Sequence, residues 1–303
     1  MTAPKRSQET SPATMADIAR RAGVSKVTVS AVLSASAGNH TRVAAATRQR
    51  ILDAAQELNY APNGIARMFR RRSTDIVGLY LGDWLLNTHD LFLAEIVSGL
   101  QIGCHENRKD LLIHGTFRGR SVDDIYLELI SQKIDGLILF TQPDDPLAAR
   151  LAASALPVVA ITDAVPVLPS VVADDRAGSR LIAEYLAARG HRRVLYRRGR
   201  SFQTSASRRY EAFQEAAGQF GMTVAQDFQR LENFAFVLST QEQALLAQEP
   251  SRRPTAIVCS NDLLAYAAVE YCLDRNLRVP EDVAVAGFDG IMPQVRPAAR
   301  LTT

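Results

Sequence analysis

Four polar residues stand where the patterning of the chain puts them just past apolar, strand-like runs. Asn261 and Asp262 follow Ala256–Cys259, Asp289 follows Val283–Phe288, and Arg209 opens a helix after a loop. Ligand sites in open α/β sheets lie beyond the carboxyl ends of the strands. Carboxylate, amide and guanidinium groups that converge on a cleft suit a polyhydroxylated molecule, because each hydroxyl both donates and accepts. Trp84, Leu85 and Phe288 can add apolar faces. Structural roles compete: Asp262 can cap a helix that starts at Leu263, and Asp174 can simply fix a crossover loop. Catalytic signatures are missing. There is no GxSxG elbow, no GxxxxGK[ST] phosphate loop, no GxGxxG after a strand and no HExxH, and the five histidines are scattered. Binding without catalysis, without a cofactor and without a metal site, is the expectation.

The chemistry at the other end of the chain is electrostatic. A formal net charge of +3 over 303 residues hides a strong asymmetry. Residues 1–72 hold 12 Lys and Arg against 4 Asp and Glu, whereas residues 73–303 hold 23 against 28. A basic head on an acidic body suggests that the head meets a polyanion. A membrane-surface helix would set bulky apolar residues opposite its basic face; this segment offers alanines and short polar residues, which favours nucleic acid. The most apolar window, Leu151 to Ala173, is broken by Pro157, Asp163, Pro166 and Pro169 and cannot span a bilayer as one helix. The first residues lack the apolar stretch of a signal peptide. Three separated cysteines, Cys104, Cys259 and Cys272, suit a reducing compartment. A soluble cytoplasmic protein with no membrane partner is expected.

The elements that would position these groups begin in the head. Residues 1–13, rich in Thr, Ser, Pro and Ala, are expected to form a disordered arm. Thr14 and Asp17 have capping-box spacing before a helix Met15–Ala22, which Gly23 ends. Ser25 caps a second helix carrying Val29, Val32 and Leu33, and a third helix, about Thr47 to Asn59, brings Ile51, Leu52, Ala55 and Leu58 to a small core. Two short helices joined by a glycine-containing turn are a helix-turn-helix, which places the start of its second helix in the major groove. The segments Asp17-Ile18-Ala19, Ala22-Gly23-Val24-Ser25, Thr28-Val29-Ser30, Val32-Leu33, Thr47-Arg48, Leu58-Asn59-Tyr60 and Pro62-Asn63 together resemble the headpiece of the lactose-repressor (LacI/GalR-type) family of bacterial transcription factors. That resemblance implies phosphate contacts for Thr14, Ser25, Thr28, Ser30, Thr47, Tyr60 and Asn63, and base reading by Lys26, Val27 and Ala31. The chemistry agrees, since a lysine can donate to guanine while valine and alanine offer only apolar contact. Residues Ser34 to Ala46 run about four longer than the family pattern, with Gly38 and Asn39 as turn formers. Pro62 to Arg72 resembles the family's hinge helix, with Ala66 and Phe69 facing the minor groove; Gly64 favours a flexible linker when DNA is absent.

From Asp75 onward, strand-like runs (Ile76–Leu81, Asp110–His114, Gly136–Phe140, Val158–Ile161, Arg193–Tyr196, Ala256–Cys259 and Val283–Phe288) alternate with helical stretches (Leu91–Asn107, Val122–Gln132, Gly178–Arg189, Ser207–Phe220 and Leu263–Asn276). Alternation predicts parallel sheets covered by helices, and about 230 residues of it suggest two α/β subdomains. Asp135-Gly136-Leu137-Ile138-Leu139, Asp174-Asp175 through Gly178, Gly190-His191-Arg192-Arg193-Val194, Ser260-Asn261-Asp262 and Gly287-Phe288-Asp289 resemble the periplasmic-binding-protein-like core of the same family. The expected fold class is therefore α/β: an all-α helix-turn-helix headpiece plus a periplasmic-binding-protein-like core of two subdomains with parallel sheets. The division expected is an arm at 1–13, a DNA-binding domain at 14–61, a hinge at 62–73 and an effector domain at 74–303 that lacks the family's final C-terminal segment. The resemblance implies effector contact by Arg209 and Asp289, then Asn261, with Trp84 and Phe288 as apolar walls; the first loop, Gly82 to Phe92, departs from the family's usual form. A regulator, and in particular a repressor, that binds double-stranded operator DNA as a homodimer under control of a sugar-like effector follows. A sugar-processing enzyme with a DNA-binding head, and an architectural DNA-binding protein without a ligand, are the alternatives.

Overall fold

The computed structural model describes residues 13–33, 43–61, 68, 71, 73–82, 90–115, 117, 119–198, 204–226 and 237–291. Asn63, Ala66, Phe69, Trp84 and Leu85, with most of the expected arm and of the inserted headpiece segment, lie outside these residues. The chain divides into two compact units, residues 1–73 and 74–303.

In the first unit, α1 (Met15–Ala22) begins with a full capping box. The Thr14 amide donates to Asp17 Oδ2 at 2.9 Å, while the Thr14 hydroxyl accepts from the Asp17 amide. Gly23, at φ +66°, adopts the left-handed turn that ends it, a conformation glycine takes without the cost a Cβ imposes. The Ser25 hydroxyl then accepts from the Thr28 amide at 3.1 Å, starting α2 (Lys26–Leu33). α3 (Ala45–Glu57) closes the bundle over a core of Ile18, Ala19, Ala22, Val29, Val32, Ile51 and Ala54. One expected core residue is displaced. Leu52 is exposed and Ala54 takes the inward place, because the 3.6-residue period puts 51, 54, 55 and 58 on one face and turns residue 52 away from it.

The second unit holds two all-parallel sheets. The first runs β2 (Asp110–Ile113), β1 (Ile76–Tyr80), β3 (Gly136–Phe140), β4 (Val158–Ile161), β5 (Ser170–Val171). The second runs β7 (Thr223–Gln226), β6 (Arg193–Arg197), β8 (Ala256–Cys259), β9 (Ala284–Ala286). Period-two alternation explains why the central strands read as unbroken apolar runs: both faces are covered. In β3, Leu137 and Leu139 enter one core while Ile138 and Phe140 pack on the other. In β8, Ala256 and Val258 face one core, and Ile257 and Cys259 the opposite one. Helices α4 (Leu91–Glu106), α5 (Val122–Leu129) and α6 (Pro146–Ala152) supply the first half. Helices α7 (Asp175–Ala188), α8 (Thr204–Gln219), α9 (Thr240–Leu246) and α10 (Asp262–Asp274) supply the second.

Several element ends differ from expectation for stated reasons. α7 begins at Asp175, three residues earlier, because the Asp174 carboxylate caps it by accepting from the Ala177 amide at 2.9 Å. α10 is capped by Asn261, whose side-chain oxygen accepts from the Leu264 amide at 3.0 Å; Asp262 is its first residue and not its cap. β9 stops at Ala286, so that Phe288 leaves the sheet. Four short elements, α6, β5, β7 and α9, were not anticipated. Two carry readable starts all the same: Asp145 before Pro146, and a Ser239–Glu242 capping box.

Candidate functional site

The site grows from the carboxyl ends of β8 and β9. Arg209, on the second turn of α8, is 8 % exposed and is held from three sides. Its Nε donates to Asp175 Oδ1 at 2.8 Å, and its Nη1 donates to the Ser260 carbonyl at 2.7 Å and to Asp289 Oδ1 at 2.9 Å. The Arg209 guanidinium lies over the Phe288 ring, with Cζ 3.9 Å from the centroid, a cation–π contact worth about 2 kcal/mol where water is excluded. Gly178 makes that stacking possible. A Cβ placed there would sit 2.6 Å from the ring, so any side chain on this turn of α7 displaces Phe288.

Asp289 adopts φ +111°, a strained conformation for a residue with a side chain, and neighbouring Gly290 has φ +73°. Such a backbone persists only where its surroundings over-determine it. Asp262 Oδ2 accepts from the Ile291 amide at 2.7 Å, the Tyr266 hydroxyl donates to the Ile291 carbonyl at 3.2 Å, and Arg209 grips the Asp289 carboxylate. Burial pushes the Asp289 carboxyl up to about 6 against the opposing pull of Arg209.

A second buried carboxylate joins the two halves of this unit. Asp163, in the loop after β4 and fully buried, accepts from the Thr204 amide (3.1 Å), the Thr204 hydroxyl (2.8 Å), the Ser205 amide (2.9 Å) and Arg208 Nη2 (3.1 Å). It thus caps α8 from the opposite subdomain, one turn before Arg209. Arg208 also donates through Nε to Asp175 at 3.2 Å. A separate depression of about 330 Å³, lined by Leu151, Leu156, Pro157, Val167 and Leu168 among others, lies at the amino ends of β4 and β5 and has no polar side chain to orient a ligand. Among the described residues no group of three His, Cys, Asp or Glu is placed to hold a metal ion, and no helix is long and apolar enough to cross a membrane.

Of the residues expected from sequence, Arg209, Phe288 and Asp289 come together. Asn261 stands beside them, but with its oxygen committed to the helix cap. Trp84 lies outside the described residues. Sequence reasoning missed Asp175, Arg208, Ser260, Asp163 and Gly178 as parts of the site. The Asp174-Asp175 and Arg208-Arg209 pairs were visible, yet nothing local distinguishes the capping member from the site member.

In the headpiece, Lys26 and Val27 are exposed at the start of α2, Val27 by 77 %. Ala31 follows Val27 by one helical turn on the same face. The Ser25 and Thr28 hydroxyls are hydrogen-bonded to each other at 2.9 Å, and Tyr60 packs partly against the small core.

Residues 14–63 match the model for bacterial regulatory proteins of the lacI family, and residues 183–303 match that for a periplasmic binding protein-like domain. The chain is 32% identical to the HTH-type transcriptional repressor PurR of Haemophilus influenzae (strain PittEE), covering 96% of this chain and 85% of that protein. It is 31% identical to the repressor of the same name from Pasteurella multocida (strain Pm70), covering 92% and 82%. These relatives are transcriptional repressors by name. In fold it is similar to the lac repressor dimer bound to operator and the anti-inducer ONPF, with a TM-score of 0.75 at 24% identity over 93% of this chain and 83% of that one. It is also similar to the transcriptional regulator CelR in complex with cellobiose, with a TM-score of 0.57 at 28% identity over 92% and 83%. A three-helix head joined to a two-sheet parallel core, with repressor relatives above 30% identity along more than nine-tenths of its length, places the chain in the LacI family of bacterial regulatory proteins.

Proposed function

We propose that this LacI-family regulator is a homodimeric repressor of transcription whose grip on double-stranded operator DNA is set by a small sugar-like molecule held at Arg209 and Asp289. One observation carries the reading: a buried guanidinium and a buried carboxylate share one hydrogen bond beyond the carboxyl ends of β8 and β9, and each keeps polar atoms to spare. Among the described residues nothing accepts from Arg209 Nη2 or donates to the second Asp289 oxygen. A ligand hydroxyl satisfies both at once. Phe288 and Asn261 complete the described part of the site, and Trp84 is proposed as a further wall. The cellobiose bound by CelR supports a ligand of carbohydrate type.

On the DNA side, Lys26, Val27 and Ala31 are proposed to read bases. Thr14, Ser25, Thr28, Ser30, Thr47, Tyr60 and Asn63 would hold phosphates, with Ala66 and Phe69 in the minor groove. The test is operator binding followed by fluorescence anisotropy with and without candidate sugars. Asp289→Asn is expected to weaken the response to the sugar about tenfold or more while leaving sugar-free operator affinity unchanged. Loss of operator affinity with an intact sugar response would make Asp289 structural and remove the site. Turnover of a sugar would point to an enzyme instead, and insensitivity to every small molecule to an architectural protein.

A further inference from the structure

The charges around Arg209 do not leave it cationic toward a ligand. Its guanidinium contacts two carboxylates, Asp175 at 2.8 Å and Asp289 at 2.9 Å, both nearly buried. The neighbouring cation, Arg208, is likewise shared between Asp163 and Asp175, at 3.1 and 3.2 Å. Among the described residues Arg208 and Arg209 are therefore in contact with Asp163, Asp175 and Asp289; farther out, Asp262, 1 % exposed at the start of α10, adds a fourth carboxylate and Arg198, which donates to Ser207 at 3.1 Å, a third cation. The donors left to a ligand are the two N–H groups of Arg209 Nη2, and the acceptor left is the second oxygen of Asp289, whose first oxygen already accepts from Arg209 Nη1.

We propose that Asp175 is a specificity-determining residue which, with Asp289, keeps Arg209 neutralised, so that the site takes an uncharged ligand bearing adjacent donor and acceptor groups and rejects phosphorylated or carboxylated ones. The inference rests on the ligand site proposed above and narrows it. A neutral hydroxyl accepts from Nη2 and donates to Asp289, satisfying both. A phosphate brings up to two negative charges and, once ionised, little but acceptors. It meets the free Asp289 oxygen with like charge in a poorly screened setting and leaves that oxygen without a donor. Asp175 does this without touching the ligand: one of its oxygens accepts from Arg208 and the other from Arg209.

Inorganic phosphate is the probe, titrated at constant ionic strength against the full chain and read by calorimetry and thermal shift. The parent is expected to show no saturable binding at millimolar phosphate. Asp175→Asn, which keeps the shape and one acceptor, is expected to gain at least about tenfold in phosphate affinity. Adding Arg209→Met to that variant should abolish the gain. Unchanged sugar-free operator binding reports that the variant is folded; should Asp175→Asn fail to fold, Asp289→Asn carries the same expectation. Saturable phosphate binding by the parent that Arg209→Met removes would overturn the proposal, as would folded Asp175→Asn and Asp289→Asn variants that gain none. The sugar-response assay is read separately: its failure removes the ligand site, whereas failure with phosphate removes only the charge selection.

Discussion

Asp289 combines three properties that few surface aspartates share: a left-handed backbone, a buried carboxylate and an arginine partner. Burial is the largest influence on its carboxyl and lifts it to about 6, which sets the sign of a pH effect. The folded chain holds this proton more tightly than the unfolded chain, whose carboxyl titrates near 3.8. Asp289 therefore contributes stability below about pH 4 that is lost as pH rises through about 6, at roughly 1.4 kcal/mol for each pH unit crossed between the two values. Chemical denaturation at pH 4.5 and 6.5 measures it. Asp289→Asn is expected to flatten this fall, and an unchanged slope would show that the carboxyl titrates normally. The same window governs the site, because a protonated Asp289 loses its charge-assisted hold on Arg209 and a ligand hydroxyl alike.

Helix α7 reaches the site through an absence. Gly178 carries no side chain, the Phe288 ring fills that space, and the ring lies against the Arg209 guanidinium. Glycine within a helix costs up to about 1 kcal/mol relative to alanine, so alanine should stabilise a helix at an open position. Gly218, near the end of α8, is open in this sense, with nothing within 4 Å of an added Cβ. Gly218→Ala is expected to raise stability by up to about 1 kcal/mol, whereas Gly178→Ala lowers it by about 1–2 kcal/mol through overpacking. Gly178→Ala should also move the Arg209 Nε–H resonance as the aromatic ring shifts. A resonance that stays in place in Gly178→Ala would mean that Phe288 does not orient Arg209.

Among the described residues of the effector unit, a carboxylate that no local pattern announces joins the two sheets. Asp163 follows the first sheet and caps the first turn of the helix that carries Arg209, so it ties α8 and the proposed ligand site to the other subdomain. Asp163→Ala strands two amides and leaves Arg208 paired with Asp175 alone, and is expected to cost about 3 kcal/mol in chemical denaturation. Amide exchange should then quicken first at Thr204 and Ser205 relative to β8. Uniform acceleration throughout the unit would show that Asp163 serves global stability and does not act as a local joint.

The sequence by itself determined the longer elements and their order, but not the short α6, β5, β7 and α9. Period-two apolar runs such as Gly136–Phe140 and Ala256–Cys259 appear as strands at the expected bounds, and α1, with its Thr14/Asp17 box and Gly23 stop, was legible because helix ends are encoded within four residues. That Arg209, Phe288 and Asp289 converge was expected from their place at a helix start and after a strand and from family resemblance, and the three side chains do meet. Individual interactions distant along the chain were not legible. Asp163 and Thr204 are 41 residues apart, and Arg209 and Asp289 are 80 apart. No local rule tells which of Asp174 and Asp175 caps a helix and which neutralises an arginine, or that Asn261 and not Asp262 begins α10. Tertiary structure decided these points, because a buried polar group must find a partner wherever the fold brings one, and which partner arrives depends on how the two sheets are joined.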